Sequence, residues 1–119
     1  MATGLIKHKG IDVIHADYRN KTKEEMDVML NEAFLSIKDY IDKGDSFLFL
    51  SDLRGVPTTV SFLKRVIKGS KSVIPYVDKT AVLGITGFKV VLFKIYRLLT
   101  GSKMRSFKTE KEALDYLVK

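Results

Sequence analysis

The amino-acid sequence predicts an α/β fold with a four- to five-stranded mixed sheet covered by about four helices, in the order β-β-α-β-α-β-α-β-α. After an opening hairpin, strand-like segments alternate with helix-like segments, and this alternation is typical of right-handed crossovers and a largely parallel sheet. Residues 46–53 and 80–85 are almost continuously apolar, as strands buried on both faces are. The 119 residues suffice for one core, so we expect a single domain over residues 1–119.

The first third of the chain predicts a hairpin followed by a helix. Residues 5–8 and 11–17 have strand character and flank a turn at Lys9 and Gly10, where glycine can adopt a positive φ. Thr22 and Glu25 have the spacing of a capping box, in which each side chain bonds the other residue's backbone N–H. The helix then extends to about residue 43, because apolar residues recur every three or four positions: Met26, Met29, Leu30, Ala33, Phe34, Ile37 and Ile41.

The rest of the chain predicts three more helices and two more strands. The second helix opens at residues 57–59 and stops at Pro75, and the third begins at residues 86–87 and ends at Gly101. Residues 104–107 form a short edge strand, and a second capping-box pattern at 109–112 opens the last helix. The third helix is expected to face inward through Phe88, Val91, Leu92, Ile95 and Leu99. We expect strands 11–17, 47–52 and 80–85 to be central in the sheet.

Composition and missing motifs argue against several enzyme classes. The chain has no cysteine, which excludes disulfides, thiolate nucleophiles and cysteine-ligated metal sites. The two histidines, His8 and His15, lack carboxylates at ligand spacing, and neither a G-x-S-x-G nor a phosphate-binding loop motif occurs. We therefore expect no catalysis, no cofactor and no metal. The remaining enzymatic alternative is a small-substrate enzyme that uses Asp17 or Asp52.

The expected location is cytoplasmic. No apolar leader precedes residue 10, and charged residues interrupt the apolar segment 80–99, so neither a signal peptide nor a transmembrane segment is expected.

Five polar residues follow the ends of predicted strands: Asp17, Asp52, Arg54, Thr58 and Thr86. In a parallel sheet these ends share one rim, where open α/β sheets bind their ligands. The sequence therefore predicts a ligand or partner site at this rim. The alternative is structural: Arg54 pairs with Asp52, and the threonines cap helices.

The third helix carries apolar residues beyond its expected core stripe, namely Val90, Phe93 and Tyr96. A helix that is apolar nearly all round is either buried or contacts something else. The sequence therefore predicts an apolar contact here, with a second copy in a homodimer, another protein, a lipid or a hydrophobic ligand. The alternative is that a neighbouring loop covers Phe93.

Charge is distributed unevenly within a net charge of +7. Residues 1–60 contain eight Lys/Arg and ten Asp/Glu, whereas residues 61–119 contain thirteen and four. The predicted basic surface consists of Lys64, Arg65, Lys68, Lys89, Lys94 and Arg97. Such a surface attracts an acidic protein patch or anionic lipid head groups, unless it is only a solvated face. No nucleic-acid-binding motif accompanies it, so nucleic acid is not expected as a partner.

Three stretches resemble a known family: FLFLSDLRG at 47–55, KTAVLGITG at 79–87 and FKTEKEALDYL at 107–117. Together with the element order they resemble the SpoIIAA-like branch of the STAS superfamily, also described as STAS/SEC14-like. The resemblance implies a SpoIIAA/STAS-like sheet covered by helices and a non-catalytic role, either in partner-switching protein contacts or in the binding of small apolar or lipid-like molecules. Residues 54–61 lack the phosphorylatable Asp-Ser-Ser-Gly motif of the anti-sigma-factor antagonists, so a phosphorylation switch is not carried over.

Together these observations favour a non-catalytic protein-interaction module that binds or regulates a partner. The alternative is a carrier or sensor of a small hydrophobic or lipid-like anionic ligand, in solution or at a membrane surface.

Overall fold

The computed structural model describes residues 3–119. The strands are β1 (Thr3–His8), β2 (Ile11–Asp17), β3 (Phe47–Asp52), β4 (Val77–Leu83) and β5 (Arg105–Phe107). The helices are α1 (Lys23–Asp42), α2 (Val60–Val73), α3 (Phe88–Thr100) and α4 (Glu110–Leu117), and a 3₁₀ helix at Ile74–Tyr76 connects α2 to β4. The predicted α/β class, the mixed sheet and its four helices are confirmed.

The five strands lie in the sheet in their chain order. β1 is antiparallel to β2, and β2, β3, β4 and β5 are parallel neighbours, so the three strands predicted to be central are central. Every crossover steps in the same direction, and right-handed crossovers of this kind place their helices on one face. α1, α2 and α3 accordingly form one layer, in which α2 contacts both of its neighbours, whereas α4 packs against β3, β4 and β5 on the opposite face.

The two faces of the sheet have separate cores. Against α4 lie Leu50, Ala81 and Leu83, packed on Ala113 and Leu117. On the other face, the alternate residues of the strands pack against the three-helix layer. One cluster there contains Ala16, Met26, Met29, Leu30 and Phe62. A second cluster contains Ile14, Ile37 and Phe47. Because side chains alternate along a strand, residues two apart serve the same core.

Helix α3 is rotated relative to the prediction. Its buried residues are Leu92 and Tyr96, which pack against Leu63 of α2. Four of the five residues expected to face inward are exposed: Phe88, Val91, Ile95 and Leu99. The prediction that Tyr96 faces away from the core is therefore wrong. Periodicity could not set the rotation, because apolar residues surround the helix and its contact with α2 determines which of them are buried.

Among the described residues, no helix combines the length and the apolar character needed to cross a membrane.

Candidate functional site

An apolar cavity of about 130 Å³ lies between the sheet and helices α1–α3. Its walls are mostly aromatic and aliphatic, and they include Phe34, Phe49, Val66, Val82, Leu92 and Phe93. Gly69 in α2 allows the Phe34 ring to pack against the helix, because a Cβ at this position would lie 2.2 Å from Phe34 Cζ. Phe93, which the sequence predicted to be an outward contact, thus belongs to the cavity wall.

Few polar groups face this cavity, and one of them has no partner. The Ser70 and Tyr96 hydroxyls satisfy each other, with 3.0 Å between their oxygens. The Oγ1 atom of Thr58 is buried and has no hydrogen-bond partner among residues 3–119. Thr58 was predicted at the rim, yet it precedes the N-cap of α2, Thr59, and lines the cavity instead.

Lys89 is the only charged residue among the described residues that line the cavity. Its Nζ donates a hydrogen bond to the Leu53 carbonyl oxygen at 2.6 Å. Burial lowers the pKa of Lys89, and the nearby charge of Asp52 partly opposes that effect. The assignment of Lys89 to the exposed basic surface is therefore wrong, because its side chain turns inward from the first turn of α3.

Asp17, Asp52 and Arg54 do come together, and Arg19 links them. Asp52 is fully buried, and its carboxylate accepts hydrogen bonds from Arg54 Nε at 3.0 Å and Nη2 at 2.7 Å. Arg19 Nη2 lies 2.8 Å from Asp17 Oδ2, and Arg19 Nε lies 3.3 Å from Asp52 Oδ2. The two carboxylates and two guanidinium groups form a charge-balanced network.

Arg19 was not among the predicted site residues, although a repeated sequence pattern contains the signal for it. Asp17-Tyr18-Arg19 and Asp52-Leu53-Arg54 both have the form Asp-x-Arg, and Asp17 and Asp52 are register partners on β2 and β3. In each segment the arginine backbone N–H donates to the Asp Oδ1 two residues before, at 3.0 and 3.1 Å. Because β2 and β3 are parallel and pair Asp17 with Asp52, the two Asp-x-Arg turns lie side by side. This arrangement brings the two carboxylates and the two guanidinium groups together.

The network does not include the two threonines predicted at the rim. Asp17 lies an even number of residues after Val13 on β2, and Asp52 lies an even number after Leu50 on β3. Both carboxylates therefore face the same side of the sheet as Val13 and Leu50, which is the α4 side, away from the cavity. Thr86 is exposed, and its carbonyl oxygen accepts from the Lys89 N–H at the start of α3. The predicted five-residue rim is thus divided between two faces, and it does not form one site.

The Arg19 side chain holds the pKa of Asp17 at about 2, below its ordinary value of 3.8. Hydrogen bonding to the charged form is the main cause. A general acid that acts near neutral pH needs a raised pKa instead. The lowered pKa does not suit Asp17 to act as a general acid, and the pairing of its carboxylate with Arg19 supports the structural alternative.

This lowered pKa makes a prediction for acid unfolding. The stability that ionised Asp17 contributes should be fully present above pH 3.8 and lost as the pH falls through about 2. Asp17→Asn should lower the free energy of unfolding by roughly 1 kcal/mol at neutral pH, because both partners are partly exposed. Urea unfolding of both proteins between neutral pH and pH 2 should show the difference in the free energy of unfolding shrink toward the acidic end, and a pH-independent difference would contradict the assignment.

The remaining predicted basic residues are exposed on α2 and α3: Lys64, Arg65, Lys68, Lys94 and Arg97. Arg65 also lies 3.5 Å from Asp27 of α1, and Arg97 lies over the Phe93 ring at 5.6 Å. On α3, Val90 is exposed beside these cations. Helices α2 and α3 thus share an outer surface that is rich in positive charge.

His8 has a structural partner that the sequence did not reveal. Its Nε2 lies 2.8 Å from Asp115 Oδ1 on α4, and Lys111 Nζ lies 2.8 Å from the other oxygen of that carboxylate. These contacts attach the edge strand β1 to the last helix. No three metal-binding side chains gather among the described residues.

The cavity is therefore the arrangement with the clearest capacity to bind a ligand. Comparisons with known proteins found no family model, no curated protein and no solved structure that matches this chain.

Proposed function

We propose that this chain is a non-catalytic binding protein that holds a small hydrophobic molecule with one anionic or polar group. The observation that carries the proposal is the buried, unpartnered Thr58 hydroxyl in the wall of a mostly apolar cavity. An unsatisfied buried hydroxyl costs about 1–3 kcal/mol, which a ligand's hydrogen bond would offset. Apolar cavities with a few convergent polar groups are the usual form of small-molecule sites.

Lys89 supports an anionic group on that ligand. Its ammonium has three donors, and the Leu53 carbonyl oxygen accepts one of them. The cavity volume of about 130 Å³ is close to that of an apolar cavity of about 150 Å³ that takes up benzene. We therefore expect a ligand of roughly six to ten non-hydrogen atoms, with a carboxylate near Lys89. Binding of small apolar molecules is also among the roles implied by the SpoIIAA-like resemblance.

Hexanoate and its uncharged counterpart 1-hexanol test the proposal. Both probes should shift the NMR methyl signals of Val82 and Leu92, which line the cavity. Lys89→Met should weaken hexanoate binding about tenfold and leave hexanol binding nearly unchanged, because only the carboxylate gains a charge-assisted hydrogen bond. Thr58→Val should weaken binding of both probes while preserving the fold.

A cavity-filling variant supplies the control. Val66→Phe places a larger ring in the space and should abolish binding of both probes, whereas Val28→Phe makes the same change at an exposed position on α1. The proposal is wrong if the wild type shows no shifts at the cavity methyls. It is also wrong if Val66→Phe binds the probes as well as Val28→Phe does.

A further inference from the structure

The outer side of α3 presents a continuous apolar stripe. It consists of Phe88, Val91, Ile95, Leu98 and Leu99. At about 100° per residue these side chains fall within an arc of roughly 100°. Leu98, at one edge of the stripe, is 83% exposed, the largest exposed fraction of any large apolar side chain among the described residues. This exposed surface is separate from the inner face of the helix, where Leu92, Phe93 and Tyr96 line the cavity.

The position of α3 in the fold explains why the stripe is exposed. α3 is the last helix of the three-helix layer, and it packs chiefly against α2. The sheet beside it ends in β5, which has only three residues. Apolar side chains that face away from α2 therefore have no neighbouring element to cover them. An exposed contiguous apolar surface of this kind marks an interaction site.

Positive charge borders the stripe on one side, and it indicates the chemistry of the partner. Helix α3 contains Lys89, Lys94 and Arg97 and no Asp or Glu, and of these Lys89 turns toward the cavity. Lys94 and Arg97 are exposed on α3 itself, on the side of the helix next to Leu98 and Val91. Lys64, Lys68 and Lys71 extend the exposed positive charge onto α2. The partner must therefore offer apolar contact and negative charge at the same surface.

We propose that α3 docks on an anionic lipid bilayer. The stripe would enter the boundary between head groups and acyl chains, while Lys94 and Arg97 remain at the level of the anionic head groups. An apolar helix face bordered by Lys and Arg is the pattern of helices that lie in a membrane interface. A second copy of the chain fits less well, because pairing two α3 faces would bring two acid-free basic segments together.

Vesicle flotation tests the proposal with the full chain. Wild type should bind vesicles of phosphatidylcholine mixed with phosphatidylserine, bind pure phosphatidylcholine about tenfold or more weakly, and lose affinity as salt rises. Leu98→Asp should weaken binding to the anionic vesicles about tenfold or more, because it places a carboxylate in the stripe. Lys94→Glu/Arg97→Glu should also weaken that binding, and its effect should be smaller at high salt.

A matched variant controls for a general effect of the added charge. Leu35 on α1 is 66% exposed and lies outside the stripe, so Leu35→Asp should bind vesicles as wild type does. Circular dichroism should show that all variants remain folded. The proposal is overturned if wild type does not bind anionic vesicles or if Leu98→Asp binds as well as Leu35→Asp. Sedimentation that shows a dimer, dissociated by Leu98→Asp, without vesicle binding would assign the stripe to self-association instead.

Discussion

Gly84→Ala is expected to lower the free energy of unfolding by about 3 kcal/mol or more, through backbone strain and overlap together. Gly84 follows β4 with φ at +87°, where an L side chain is strained. A Cβ there would lie 2.5 Å from Arg54 N and 2.6 Å from Leu53 C. These are backbone atoms of the turn after β3, and the Leu53 N–H already donates to the Leu83 carbonyl oxygen. The two turns therefore cannot separate without breaking that bond.

Gly101→Ala is the matched control for the strain alone. Gly101 has φ at +72°, but a Cβ there would meet no atom within 4 Å. Its replacement should cost about 1 kcal/mol, the usual penalty for alanine in the left-handed region. Chemical denaturation of both variants gives the comparison. Equal losses for the two variants would show that the close approach of the β3 and β4 turns has no energetic role.

Asp52→Ala is expected to lower the free energy of unfolding by about 3 kcal/mol, the range for removing one partner from a buried ion pair. The fully buried Asp52 carboxylate accepts hydrogen bonds from Arg54 N, Nε and Nη2 and also contacts Arg19. Its removal leaves a cavity and two neighbouring guanidinium groups that repel each other. Because both arginines are partly exposed, water limits the loss.

Asp12→Ala controls for the loss of a surface carboxylate. Asp12 is exposed and lies 3.9 Å from Lys7 Nζ, so its removal should change stability by less than about 0.5 kcal/mol. Urea unfolding at neutral pH measures both variants. A loss for Asp52→Ala as small as that for Asp12→Ala would mean that the Asp-x-Arg network is not a structural support of the sheet.

Local patterns in the sequence specified most of the secondary structure. The hairpin turn forms at Lys9 and Gly10 as predicted, with the expected positive φ at Gly10 and a positive φ at Lys9 as well. Thr22 and Glu25 make both bonds of the capping box, and Thr109 caps α4 through the Glu112 N–H. These features involve residues within three positions of each other, so neighbouring residues alone decide them. The apolar strand segments were recognisable for a similar reason, because a strand that is buried on both faces needs apolar residues at consecutive positions.

The candidate site depended on contacts between distant segments. The sequence placed Asp17, Asp52 and Arg54 near one another, but the bridge by Arg19 required the parallel register of β2 and β3. It also could not show that Thr58 and Lys89 turn toward a cavity, because that cavity exists only where α1, α2 and α3 leave a space above the sheet.

The sequence by itself determined that strands and helices alternate and which strands are central, although β4 begins at Val77 rather than at the predicted residue 80. Only the tertiary structure decided which side of α3 is buried, because apolar residues surround that helix and its own periodicity favours no single face. Contact with α2 selected Leu92 and Tyr96, and the same rotation exposed Phe88, Val91, Ile95, Leu98 and Leu99. Whether a side chain is buried depends on the element that packs against it, and a single segment of sequence does not show which element that will be.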